Sequence, residues 1–313
     1  MPAGRCDEPA SVYYIYVAPT VRPMAALLVV ALFLPPASAF AWGSAAHKYI
    51  MRRAIDLLPV ELKSFYVNHR DEVVLRVNDP DLWRVVGWED DPNHFVNFGA
   101  AEYGAYPFTA LPREHGAAVE KFGLITLKRN GTLPWRTAEV FGQLRRAFEG
   151  FRRRTAYAAS DAVLFSAVAA HYIQDAYQPL HATDNYDGRQ TGQQGVHARF
   201  ERDLFERYES RLTTIPAPPK PMASPRDAAF DALLDSHQLV TPLLDADREA
   251  AGSRKQYDEA YFEAFFAKGK PLLERRVSEA ITATASLIVG AWVQAGKPEL
   301  GNERARAVQS LRK

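Results

Sequence analysis

The stretch HYIQDAYQPLH (171–181) directly follows the apolar run AVLFSAVAA (162–170). The run reads as the middle of a buried helix. Charges and imidazoles are costly in an apolar interior unless something pairs with them. His171, Asp175 and His181 therefore either satisfy one another or hold something. Leu164, Val168, His171 and Asp175 are spaced i, i+4, i+7, i+11, which places them on one helical face. Ser160 is the expected N-cap. Pro179 disfavours helical geometry at the residue before it, so the helix is expected to end near Gln178.

The rest of the chain also reads as helix. HKYIMRRAIDLL (47–58) is periodic and stops before Pro59. The segment 70–112 is rich in Asp, Pro, Gly and aromatics and reads mainly as loop with short helical pieces. Helices are expected over 116–128 and 137–154, with NGTLPW between them. NYDGRQTGQQG (185–195) is a polar, glycine-rich loop, and a helix follows from Val196 to about Leu212. TIPAPPKPMASP (214–225) is a proline-rich loop before two further helices. The last is expected over 271–294, where Leu273, Val277, Ala280, Ile281, Thr284, Leu287, Ile288 and Ala291 form a core-facing stripe. No alternating strand set appears. The expected architecture is all-α, a single-domain multi-helix bundle over 42–313.

Composition agrees with a globular chain. Of 313 residues, 47% are hydrophobic and 24% charged, enough for a sizeable core. A net charge of +1 argues against a protein built mainly to coat duplex nucleic acid or an acidic membrane. Met24 opens MAALLVVALFLPPASAFAW, an apolar run that ends at the small-x-small triplet Ala39-Phe40-Ala41. Residues 24–41 read as a secretory signal peptide, too short for a membrane span. Residues 1–23 read as an upstream extension. The expected product begins at Trp42 and is secreted or periplasmic. The one cysteine, Cys6, lies outside it, so no disulfide is expected there.

VHARFE (196–201) repeats the opening theme, with His197 and Glu201 at i and i+4. Two helices thus each offer a histidine and a carboxylate, and His181 lies in the loop between. Imidazole and carboxylate donors without thiolate suit zinc and other borderline metals, in an open site rather than a closed structural one. Each pair alone is more often structural; the combination points to metal. Di-iron sites use Glu-x-x-His pairs at i, i+3, a different pattern.

The pattern His171-x3-Asp175-x5-His181, then His197-x3-Glu201, resembles the superfamily of zinc-dependent phospholipases C and the single-strand-specific nucleases of fungi and plants. The resemblance covers most of residues 42–205. It implies an all-α fold around a trinuclear zinc cluster whose first ligand is an amino-terminal tryptophan, through its amine and carbonyl. Trp42 stands right after the expected cleavage site, and Trp42-x4-His47 resembles the nuclease branch. NDPDLWRVVGWEDDPNHF (78–95) supplies an aspartate and a histidine. His94 fits the histidine. Asp81 is preferred over Asp79 because Arg84 follows at the nuclease offset. The resemblance then implies one zinc on Asp81, His94, His171 and Asp175, and a second on His181, His197 and Glu201. The third takes Trp42, His47 and the bridging Asp175. Glu201 follows the phospholipase branch, since the nucleases usually have aspartate there.

The implied activity is phosphodiester hydrolysis by metal-activated water, with Asp81 as a candidate proton acceptor. The expected substrate is single-stranded nucleic acid, with phospholipid as the alternative. A non-catalytic zinc-stabilised helical protein is the competing class. No stable protein partner is implied, and a monomer is expected. Weaker candidates for substrate contact are Asp187, Arg189 and the aromatics Trp83, Trp88, Tyr103 and Tyr106. RRAFEGFRRR (145–154) reads as a solvated basic face with its phenylalanines turned inward. His69, His115 and His237 show no evident partner.

Overall fold

Helix α1 (Ser44–Leu57) turns Ala46, His47, Ile50, Met51, Ala54 and Ile55 inward, so a histidine lies on its buried face. It ends where Leu58 becomes extended ahead of Pro59. Short helices α2 (Val60–Asn68), α3 (Arg70–Arg76) and α4 (Asp79–Val85) follow, the last with Pro80 in its first turn, where a missing N–H costs nothing. A computed structural model describes residues 42–301 except 255, all within one compact unit. The expected signal peptide, the upstream extension and Cys6 lie outside the described residues. Among those residues there is no β-strand, only one isolated bridge, and no helix long and apolar enough to cross a membrane.

The segment read mainly as loop over 70–112 thus holds two α-helices, α3 and α4, plus two 3-10 turns, Asp91–His94 and Ala101–Tyr103. The single helix expected over 116–128 is two, α5 (His115–Phe122) and α6 (Leu124–Asn130). Gly123 separates them with φ +77°, a left-handed conformation that only glycine adopts freely. Helix α7 (Leu133–Arg152) starts four residues before the expected Thr137, with Pro134 in its first turn.

Helix α8 (Ala158–Asp175) runs through the centre of the unit, packed against α7, α3, α1 and the final helix, α12 (Glu259–Gln294). Its many alanines let these neighbours approach closely. From Ser166 to Asp175 every residue is buried, so its C-terminal half is enclosed on all sides rather than along one stripe. Ser160 is not its N-cap: the helix already begins at Ala158. It closes at Asp175, and the chain turns through Pro179–Ala182 to present His181.

Helix α9 (196–208) follows Gly195, whose φ is +83°. It consists of Val196–Ala198, a π-helical turn Arg199–Leu204 and Phe205–Tyr208. Three helices, not two, follow the proline-rich loop: α10 (Pro225–Gln238), α11 (Val240–Ala251) and α12. Helix α12 starts twelve residues before Pro271 and passes through it. Asp258 caps it by accepting from Tyr261 N.

The proline-rich loop lies along α12 as a strap. Backbone N–H groups of Thr213, Ile215 and Ala217 donate to the side chains of Glu274, Ser278 and Thr282, and Lys220 N donates to Ser286 Oγ. The first three contacts match in pitch. Four helical residues rise about 6 Å, and two extended or polyproline residues advance about 6.2–6.6 Å. Gly290 permits the strap's close approach, since a Cβ there would lie 2.4 Å from Met222 O.

Candidate metal centre

Six elements deliver the candidate ligands. Helix α1 gives His47, α4 gives Asp81, the Asp91–His94 turn gives His94, α8 gives His171 and Asp175, and α9 gives His197 and Glu201. The turn after α8 adds His181. All eight side chains are buried. They form three groups, each with ligand atoms within 4.8 Å of one another: His47, His171 and Asp175; Asp81, His94 and His171; His181, His197 and Glu201.

Asp175 sits between the groups. Its Oδ1 lies 3.3 Å from His47 Nε2 and 3.8 Å from His181 Nδ1. Its Oδ2 lies 3.0 Å from His94 Nδ1 and 3.3 Å from His171 Nε2. Asp81 Oδ1 is 3.9 Å from both His94 Nδ1 and His171 Nε2. In the third group His197 Nε2 is 2.8 Å from Glu201 Oε2 and 3.2 Å from His181 Nε2.

These donors fit a metal on three counts. First, acceptors fix the far nitrogen of three imidazoles as the N–H. His47 Nδ1 donates to Gln174 Oε1 at 2.6 Å, His171 Nδ1 to Val77 O at 2.8 Å, and His94 Nε2 to Asp90 Oδ2 at 3.0 Å. The nitrogens left to face one another are His47 Nε2, His171 Nε2 and His94 Nδ1, and they converge as those of metal-ligating histidines do. Second, His47 Nε2, Asp175 Oδ1 and His181 Nδ1 are buried without a hydrogen-bond partner in proper geometry. Such groups are costly unless something else engages them. Third, atoms bound tetrahedrally at about 2.0–2.1 Å lie about 3.3–3.4 Å apart. The separations within the groups, 2.8–3.9 Å, bracket that value.

Electrostatics within the cluster follow from burial and from its mixed charges. Burial alone would raise the Asp175 pKa, but the surrounding imidazoles outweigh it and hold the carboxyl well below its usual range. Burial pushes His181 well below the ordinary imidazole value, with His197, His94 and Arg84 acting the same way. It is neutral, as a ligand requires. Burial also lowers His94, yet hydrogen bonds to Asp175 and Asp90 prevail and raise it to about 9, so an ion bound at Nδ1 would displace a proton. Burial raises Glu201 against the pull of His197.

Trp42 reaches the cluster's edge. Its indole is fully buried and donates from Nε1 to Gln174 O at 2.9 Å. Gly43 packs on the backbone of Arg202 and Glu201, where a Cβ would lie 3.1 Å from Arg202 Cα. Asp79, the alternative to Asp81, belongs to none of the three groups and pairs with Arg76 at 3.3 Å.

A cavity of about 410 Å³ opens onto the cluster, lined by His94, His181 and His197 together with Arg84, Asp91, Phe95, Asn97, Arg129 and Tyr186. Arg84 bonds Asp91 and lies 3.4 Å from Asp81 Oδ1. The four aromatics expected near His94 do not line this cavity. Trp83 pairs with an exposed Trp88, Tyr103 is buried against Phe122, and Tyr106 packs by Phe108 and His237. The 185–195 loop borders the cavity through Tyr186, not through Asp187 or Arg189, which lie 3.5 Å from each other. The basic run behaves as expected, with Phe148 buried, Phe151 against Phe65, and Arg146, Arg152, Arg153 and Arg154 exposed.

Several working residues gave no signal in the sequence. Gln174 fixes the His47 tautomer, and Gln178 Nε2 donates to Glu201 Oε2 at 2.9 Å. His237, read as partnerless, bonds Ala182 O at 2.8 Å beside His181; His69 bonds Phe65 O, and His115 packs on Trp135. Arg199 forms a buried pair with Asp247 that ties the π-turn to α11. No protein-family model matches the chain, and no curated protein matches it significantly.

Proposed function

We propose that this chain is a zinc-dependent phosphodiester hydrolase. The observation that carries the reading is the convergence of three buried histidine–carboxylate groups beside a cavity lined by two arginines. His47 with Asp175 would hold one ion, Asp81, His94 and His171 with the other oxygen of Asp175 a second, and His181, His197 and Glu201 a third. Zinc held there supplies positive charge against an anionic diester and a more acidic water.

The chain's own residues do the remainder. Arg84, largely shielded from solvent, and the more exposed Arg129 flank the cavity and would bind the diester's non-bridging oxygens. Asp81, 3.4 Å from Arg84, would accept a proton from the attacking water. Gln174, Val77 O and Asp90 keep three imidazoles in the tautomer that leaves a lone pair for the metal.

Trp42-x4-His47 favours single-stranded nucleic acid as substrate. Glu201 favours a phospholipid, and so do the exposed apolar side chains of Leu82, Val85, Val86 and Trp88 on and after α4. Product release from single-stranded DNA and from phosphatidylcholine, followed in parallel with and without a chelator, tests the reading. Chelator-sensitive cleavage of either is expected. A zinc-loaded chain that cleaves neither would leave only a metal-stabilised helical protein.

A further inference from the structure

Asp90 belongs to none of the three ligand groups, yet it is 6% exposed and lies directly behind one of them. Four side chains converge on its carboxylate. His94 Nε2 and Tyr172 Oη donate to Oδ2 at 3.0 and 2.8 Å. Asn93 Nδ2 donates to Oδ1 at 2.8 Å, and Arg136 Nη2 stands 3.9 Å from the same oxygen. Arg136 also lies over the Tyr172 ring, 5.4 Å from its centroid. A buried carboxylate with this many donors stays ionised and fixed in place. Its position holds Nε2 as an N–H, so Nδ1, which faces Asp81, His171 and Asp175 with Asp175 Oδ2 at 3.0 Å, is the nitrogen an ion would take in place of a proton.

We infer that Asp90 is a positioning residue for the metal centre: with Tyr172, Asn93 and Arg136 it locks His94 in the tautomer and ring orientation that ligate through Nδ1. Asp90 itself does not line the cavity and belongs to no ligand group, so it acts on the centre through His94. An anionic acceptor on the far nitrogen also makes Nδ1 a stronger donor. The inference rests on the zinc reading above.

The test is a zinc titration of the full chain against a chromogenic chelator, backed by the visible spectrum of the cobalt-substituted protein. Asp90→Ala should weaken binding at the His94 group about 10–100-fold and alter the cobalt bands of that group. Asp90→Asn keeps an oxygen for the Nε2–H and should fall between that variant and the parent. Tyr172→Phe, which leaves the carboxylate in place, should shift affinity in the same direction by less, and serves if the Asp90 variants do not fold. Undiminished zinc affinity and unchanged cobalt bands in both Asp90 variants would overturn the inference, even with lower melting temperatures. A parent chain that takes up no zinc would overturn the zinc reading as well, which separates the two failures.

Discussion

His171 stands where two ligand groups meet, with its Nδ1 tied to Val77 O and its Nε2 shared between His94 and Asp175. Replacing it removes the one lone pair, on Nε2, that it can give a metal and leaves buried carboxylates without a counterpart. His171→Ala should therefore lose at least one equivalent of zinc and melt lower in zinc-containing buffer than the parent. Zinc content and a thermal melt on one sample check both halves, and full zinc content would remove His171 from the centre. Asp81→Asn separates binding from turnover. It should keep part of the zinc while hydrolysis falls by about 10²-fold or more. Full activity would remove Asp81 from the reaction. At this scale the candidates His171, Asp175, His181, His197 and Glu201 were legible because two i, i+4 pairs flank a histidine-bearing loop, a combination rarer than either pair, whereas His47, Asp81 and His94 came from the resemblance. The choice between Asp79 and Asp81 rested on Arg84; each pairs with an arginine, and only Asp81 lies in a ligand group. Gln174, Gln178 and Asp90 were not legible. An amide or acid that orients a ligand has no fixed spacing from it, because the contact crosses between elements.

The π-turn of α9 is the element that most needs support. It carries Glu201, and π-turns are uncommon interruptions often found at functional sites. Arg199, within this turn, is clamped by Asp247 of α11, with Tyr261 Oη and the carbonyls of Gln193 and Gln194 satisfying the rest of the guanidinium. Both partners of the pair are buried. Removing one leaves the other charge uncompensated, at a cost of about 3–5 kcal/mol. Asp247→Ala should lose about that much stability in chemical denaturation and weaken zinc at the His181–His197–Glu201 group. A loss below about 1 kcal/mol would make the clamp incidental. Nothing in VHARFE announced this, since an isolated arginine in a helix usually faces solvent. The split at Gly123 and the strap on α12 were hidden for a related reason. Gly123 reads as tolerated within a helix until its φ is known. The strap's partners, Glu274, Ser278, Thr282 and Ser286, form an i, i+4 stripe whose meaning appears only with the segment laid against it. Helix existence, in contrast, was legible from apolar periodicity.

For the whole molecule, the all-α architecture followed from the absence of alternating strands and from long periodic segments, and α8 is enclosed as its alanine-rich run suggested. With no cysteine in residues 42–301, the unit is held by its apolar core and, on this account, by metal. The burial of Trp42 against α8 and of Gly43 against the Glu201 turn gives the start of the described chain a fixed place beside the cluster. A chain that begins at Trp42 should thus take up more zinc than one that retains Ala41, because only the former offers a free amine there. Equal uptake would deny Trp42 a ligand's role. The central claim is that three groups of buried histidines and carboxylates hold metal. Anomalous diffraction at the zinc edge, from crystals of the chain beginning at Trp42 grown with zinc, tests it most directly. The account predicts anomalous peaks, up to three, within bonding distance of the His47–His171–Asp175, Asp81–His94–His171 and His181–His197–Glu201 groups. Crystals with zinc in the medium and no peak at any of the three would contradict it.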